Sequence, residues 1–210
     1  GNSKSHFECD SAYGSKGTLF STFGNSELKL KANELELETN DYVLTFRESS
    51  KTFIDVTRIK GGSSGWAVYY GGPGGNYNGK SYLNVDELVS DSNYQPLGIN
   101  GVSDGAEIVL NVNKLSHEPD TLPNTQWLIN NTSQSGGKIT YNGNMNSVSN
   151  GIIGGGSSGG EFNYNGDILV GEWAILLGFP SSNSVNHKFN FNGTTSVSGL
   201  TTYPMYYNGG

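Results

Sequence analysis

The stretch that decides the fold reads Ser26-Glu27-Leu28-Lys29-Leu30-Lys31-Ala32, Asn33-Glu34-Leu35-Glu36-Leu37-Glu38-Thr39, Asn40-Asp41-Tyr42-Val43-Leu44-Thr45-Phe46, three seven-residue repeats laid end to end. Apolar residues fall at Leu28, Leu35 and Tyr42, and again at Leu30, Leu37 and Leu44. A period of seven invites a coiled coil, but coiled coils place apolar residues three or four apart. Here they sit two apart, roughly 200° of rotation on a helix. Spacing by two is the strand signature, so each repeat reads as a strand of about five residues followed by a tight corner at Asn or Ser. Two Leu per repeat make a face too thin to close a core within one chain. Three chains winding around a shared axis would supply the missing surface, so a homotrimeric shaft is expected. A single-chain β-meander covered by later residues is the alternative.

Residues 25–60 contain neither Gly nor Pro, whereas residues 61–210 hold 27 of the 31 Gly. The break near Gly61 divides the chain into a repeated-strand neck, 1–60, and a head, 61–210. Gly and the 25 Asn both disfavour helix interiors, which points to an all-β protein. The head repeats an aromatic-Asn-Gly triplet at Tyr77, Tyr141, Tyr164, Phe191 and Tyr207. Asn-Gly suits the type I′ turn of an antiparallel hairpin, so a Gly/Asn-rich antiparallel β-sandwich or β-prism head is expected. The Gly-rich segment Gly151–Gly160 reads as one of its loops.

Charge narrows the partners. A net charge of −7 with no cluster of basic residues argues against nucleic acid and anionic membrane. The longest nearly uninterrupted apolar stretch, Trp173 to Phe179, is far short of the roughly 20 residues that span a bilayer, so no membrane insertion is expected. The chain opens on no leader pattern, which implies that a signal was removed or that this is a piece of a longer protein. Cys9 stands alone, and His6, His117 and His187 share no ligand spacing and read as solvated. Neither a metal site nor a cofactor is expected.

Enzymatic motifs are weak. Gly74 to Ser81 matches the phosphate-binding pattern G-x-x-x-x-G-K-S, but that motif needs a helix starting at its Lys, and Tyr82-Leu83-Asn84-Val85 alternates like a strand. No nucleophile elbow occurs. Glu161, Asp167 and Glu172 form the nearest carboxylate cluster and read as the solvated face of a hairpin. A non-enzymatic protein is expected.

The aromatics are the most informative candidates. Trp66, Tyr69, Tyr70, Tyr77 and Tyr82 surround the loop 71–79, and Tyr203, Tyr206 and Tyr207 lie near the carboxyl end. Sugars stack their C–H faces on such rings while Asn and Asp bond the hydroxyls. The ligand-binding candidates are Trp66, Tyr70, Tyr77, Asn78, Tyr203, Tyr206 and Tyr207. Tyr77 leads them, because a ring just before an Asn-Gly turn at a loop tip finds little core to join. Trp127 and Trp173, flanked by Leu and Ile, read as core.

A Gly-free run of short strands followed by a Gly/Asn-rich β head resembles the carboxyl-terminal part of phage-type tail fibres and related trimeric adhesins. The local likeness lies in Leu122–Thr132, Gly136–Tyr141 and Gly171–Leu176. The resemblance implies a homotrimeric fibre tip, extracellular or on a virion, that binds a cell-surface glycan or an outer-membrane receptor. A polysaccharide-degrading tip and a purely structural spike are the rival readings.

Overall fold

A computed structural model describes residues 2–38, 41–62, 65–71, 76–91, 95–118, 127–147, 150–154, 159–171, 173–179, 187–198 and 205–209. The protein is all-β, as expected, but every strand pairing is parallel. Strands numbered in chain order alternate between two sheets. The first contains β1 (Lys4–Gly14), β3 (Glu27–Leu37), β5 (Lys51–Gly61), β7 (Lys80–Asp91), β9 (Glu107–Glu118), β11 (Lys138–Asn146), β13 (Gly160–Asn165) and β16 (His187–Asn192), neighbours in that order. The second contains β2 (Phe20–Thr22), β4 (Leu44–Phe46), β6 (Val68–Gly71), β8 (Leu97–Asn100), β10 (Trp127–Ser133), β12 (Asn150–Gly154), β15 (Ile175–Phe179) and β18 (Met205–Gly209). Each strand thus pairs with the strand one full turn later. The chain is a parallel β-solenoid.

This corrects the expected architecture of a shaft followed by an antiparallel head. The seven-residue repeat is not a set of separate five-residue strands. Leu28, Leu30, Ala32, Leu35 and Leu37 are all buried and belong to one strand, β3. The inward phase shifts by one residue at Asn33–Glu34, where two successive side chains face outward. Thr57–Arg58 and Asp86–Glu87 repeat that shift in β5 and β7, so the sheet bends around the core along a line. Rungs stack because each inward position meets its equivalent one turn on: Leu30 against Ile54, Ile54 against Leu83, Leu83 against Leu110. Such stacking gives the Leu faces their cover inside one chain, and the argument that motivated a trimer loses its premise.

Both sheets run through Gly61 without interruption, since β5 pairs with β3 on one side and β7 on the other. None of the Asn-Gly triplets is a hairpin turn: those at Tyr164 and Phe191 are corners of the solenoid, and those at Tyr141 and Tyr207 lie within β11 and β18. Tyr141-Asn142 lies beside Tyr164-Asn165, which lies beside Phe191-Asn192, in parallel register. After Asn165 and Asn192 the strand breaks, and the short strands β14 (Ile168–Val170) and β17 (Thr195–Val197) resume the same wall, whereas β11 runs through Gly143 to Asn146. Gly166 has φ 151°, and a Cβ there would come 2.0 Å from the Gly143 carbonyl oxygen, so glycine is required by close approach. Gly151 to Gly154 is not a loop but lies within β12, where a Cβ on Gly151 would sit 2.3 Å from the Ala174 carbonyl oxygen.

Candidate functional site

The sequence-derived ligand residues do not form one exposed site. Tyr70 and Tyr77 are completely buried, with ring centroids 5.3 Å apart. Tyr77 bridges Glu48 and Val102 of adjacent turns, and its hydroxyl donates to the Ser50 carbonyl at 3.1 Å. It is a core residue, contrary to the expectation of a loop-tip ring. Burial pushes both phenols well above their ordinary value, so they stay protonated and act as internal hydrogen-bonding groups. Trp66 is half-buried over Gly98 and donates its indole N–H to Gln95 at 2.6 Å. Asn78 is exposed and accepts from the Ser49 hydroxyl at 2.9 Å. Tyr203 lies outside the described residues, and Tyr206 and Tyr207 are described only as backbone of β18.

Other candidates resolve into structure. Lys80 begins a strand, not a helix, and its ammonium meets Glu107 at 2.7 Å, while Ser81 is buried and accepts from Thr52 at 2.7 Å. The phosphate-binding pattern therefore lacks its helix. Glu161 is flanked by Lys138 and Lys188, and Asp167 accepts from the Thr194 amide and hydroxyl at 2.9 and 2.7 Å. Those hydrogen bonds hold the Asp167 carboxyl below its usual range. Both carboxylates tie one turn to the next; Glu172 lies outside the described residues. His117 is buried, not solvated, and Trp127 and Trp173 are half-buried. Among the described residues, no cluster of His, Cys, Asp and Glu is arranged for a metal.

An exposed array lies on the outer face of β5, β7 and β9. Phe53 and Tyr82, 42% and 37% exposed, stack face to face with centroids 5.5 Å apart and planes 7° apart. The Lys29 ammonium lies 5.8 Å from the Phe53 centroid. Period-two alternation sets the next outward residues, Asp55 on β5, Asn84 on β7 and Asn111 on β9, one step along the strands. Beyond them come Thr57, Asp86 and Asn113. These six line a shallow groove of about 190 Å³ together with Lys31 and Asn33. Its amides are held by their neighbours: Asn111 donates to Asn84 at 2.7 Å, and Asn113 to Asp86 at 2.7 Å.

The array thus places an exposed aromatic platform about 7 Å from a row of amides and carboxylates, the along-strand distance between same-face residues. Sequence reasoning had named Tyr82 among the aromatics but had not paired it with Phe53. The signal was present: Lys51-Thr52-Phe53-Ile54-Asp55 and Lys80-Ser81-Tyr82-Leu83-Asn84 share one pattern, polar-aromatic-aliphatic-polar, 29 residues apart.

No family model, curated protein or solved structure matches this chain.

Proposed function

We propose that the chain is a non-enzymatic carbohydrate-binding adhesin module, displayed on a cell or virion surface, that takes a glycan across the outer face of β5, β7 and β9. The observation that carries this reading is the exposed Phe53–Tyr82 stack bordering a groove lined by Asn, Asp and Thr. Exposed aromatic rings lose free energy by standing in water, and a pyranose offers them an apolar face at the same height as the hydroxyls that Asp55, Asn84 and Asn111 would bond. Preorganisation favours the site, because the platform rides on three long paired strands rather than on a loop.

A glycan array, followed by calorimetry on the best hit, tests the proposal. Tyr82→Ala is expected to weaken binding about tenfold, equivalent to about 1.4 kcal/mol, while melting shifts little because the ring is exposed. Retained affinity in a Phe53→Ala/Tyr82→Ala double variant would sink the site. Release of shortened oligosaccharides from a bound polysaccharide would instead favour a degrading enzyme, with Asp55 and Asp86 as the carboxylates of the groove.

A further inference from the structure

The groove beside the aromatic platform runs along the solenoid and not along any one strand. One wall is the outward column Lys31, Asp55, Asn84 and Asn111, whose members stand in register on β3, β5, β7 and β9. The other is Asn33, Thr57, Asp86 and Asn113, with Ala32, Val56 and Val85 between the two. Each wall gains one residue per turn, at the spacing of neighbouring strands, about 4.8 Å. The platform column, Phe53 and Tyr82, continues as Val109 and Thr140, so no further ring stands beside the first wall beyond β7.

That first wall extends past the groove as Asn142 and Asn165, in register with Asn111. Its hydrogen bonds all point one way: Asn165 donates to Asn142, Asn142 to Asn111 and Asn111 to Asn84. A carboxamide has two N–H donors and an oxygen with two lone pairs. Asn111 and Asn142 each commit one N–H and one lone pair to the wall, which leaves one of each for a ligand. The wall bonds also hold the amides in place, so the remaining donor and acceptor are fixed before a ligand arrives. The same pair therefore recurs turn after turn in one orientation. A compact sugar meets one such pair, whereas a ligand that itself repeats along the axis meets them all.

We propose that the ligand is an unbranched polysaccharide free of acid groups, laid lengthwise along the solenoid axis. One sugar rests on the Phe53–Tyr82 platform, and its neighbours pass over the amides of Asn84, Asn111 and Asn142. This inference rests on the glycan reading given above and narrows it to a polymer and a direction. From β3 to β13 the wall measures about 24 Å, room for about five pyranoses in a row. Branches would meet the platform on one flank and the second wall on the other. Charge selects against acidic sugars. The groove carries the carboxylates of Asp55 and Asp86, while the one ammonium among its lining residues, Lys31, already faces Glu8 at 3.5 Å, and Lys29 lies against the Phe53 ring. A uronate or sulfate on this path would stand beside like charge.

Thermophoresis of the 210-residue chain against linear gluco-, manno-, galacto-, xylo- and N-acetylglucosamine oligosaccharides of two to eight units, with oligogalacturonates as the acidic counterpart, tests this. At least one neutral series is expected to bind, its six-unit member at least tenfold tighter than its two-unit member, and oligogalacturonates are expected not to bind. Asn142→Ala is expected to weaken the six-unit ligand at least fivefold and to leave the two-unit ligand, held at the platform, unchanged. Asn165→Ala repeats the test one turn further on should Asn142→Ala disturb folding. A ligand lying along β5 would behave in the opposite way, sensitive to Thr57→Ala and indifferent to both asparagine variants, and would overturn the lengthwise course. Equal affinity for two and six units, or preference for oligogalacturonates, would overturn this inference and leave the glycan reading standing. Failure of every series would overturn it too, and a glycan array equally silent would remove the glycan reading as well.

Discussion

In the rungs built on β3, β5, β7 and β9 the wall is aliphatic within and charged without, whereas in those built on β11, β13 and β16 it is aromatic within and amide-rich without. Leu30, Ile54, Leu83 and Leu110 occupy the inward column that continues as Tyr141, Tyr164 and Phe191. Outside, Arg58 joins Glu34, Glu87 and Glu118 of neighbouring turns at 2.9, 2.8 and 2.5 Å. The later rungs instead extend an asparagine ladder that begins at Asn84 and Asn111, in which Asn142 donates to Asn111 and Asn165 to Asn142, both at 2.8 Å. One backbone ladder is therefore held by two column chemistries. Where rings replace Leu, the residue two positions on changes from Val85 and Val112 to Gly143, Gly166 and Gly193. At each of these glycines a Cβ would meet the carbonyl oxygen of the preceding turn, 1.7–2.0 Å away, and Tyr164 donates its hydroxyl to the Gly143 carbonyl at 2.8 Å.

The largest effect is expected from removing the middle ring of the stack. Tyr164 lies 5.1 Å from Tyr141 and 5.7 Å from Phe191 between nearly parallel planes, and it is fully buried. Tyr164→Ala should cost about 3–5 kcal/mol by lost contacts and the cavity left behind. Because each rung leans on its neighbours alone, the loss should be local: hydrogen exchange should open β13 and β16 while β5 and β7 keep their protection. Uniform loss of protection along the solenoid would erase the distinction between the two halves.

How much of this was legible follows the same divide. Alternation at Leu28, Leu30, Leu35 and Leu37 marked strands and inward residues correctly, because period two belongs to any half-buried strand. It is blind to whether the partner runs parallel or antiparallel. The turn-to-turn repeat would have settled that, but its period drifts, from 23 residues between Lys4 and Glu27 to 29 between Lys51 and Lys80. It is written in column chemistry rather than identity. The clearest trace was Tyr141, Tyr164 and Phe191 with their Asn-Gly pairs, which the strong local preference of Asn-Gly for hairpins led elsewhere. Tyr77 was misplaced for the same reason, since the same signal assigned a tip to a residue that bridges two turns of the core. Nothing local in Phe53 or Tyr82 reveals that a turn of the solenoid brings them together.

A smaller effect is expected at the charged network. Arg58→Met removes the guanidinium from three carboxylates in a partly exposed site, so the loss should be about 1–2 kcal/mol at neutral pH. Glu34 is held below its ordinary value by the Tyr13 hydroxyl and by Arg58, and Glu87 by Lys114 and by Arg58. A lowered carboxyl contributes stability that is present above the unfolded value near 4.5 and is lost as pH falls through the folded value. Urea midpoints of wild type and variant should therefore differ most near pH 7 and converge as pH falls through the lowered folded values of Glu34 and Glu87. A gap that persists in acid would mean that Arg58 acts through its packed stem and not through its charge.

The smallest effect is expected at the amide ladder, where it also separates the two column chemistries most sharply. Asn142 gives one hydrogen bond to Asn111 and receives one from Asn165, in a half-buried position where freed partners regain water. Asn142→Ala should thus cost about 1 kcal/mol, near the net worth of a single hydrogen bond rather than of two. Lys31 occupies the equivalent column in β3, exposed, with only a 3.5 Å contact to Glu8, and Lys31→Ala should leave the melting curve essentially unchanged. Asn142→Asp discriminates further, because a carboxylate has no hydrogen to give Asn111 but still accepts from Asn165. If the ladder stabilises by linked amides, Asn142→Asp should be at least as destabilising as Asn142→Ala at pH 7 and should recover part of the loss when protonation restores a donor in acid. Equal stability of both variants with wild type would show that the later rungs rest on their aromatic stack alone.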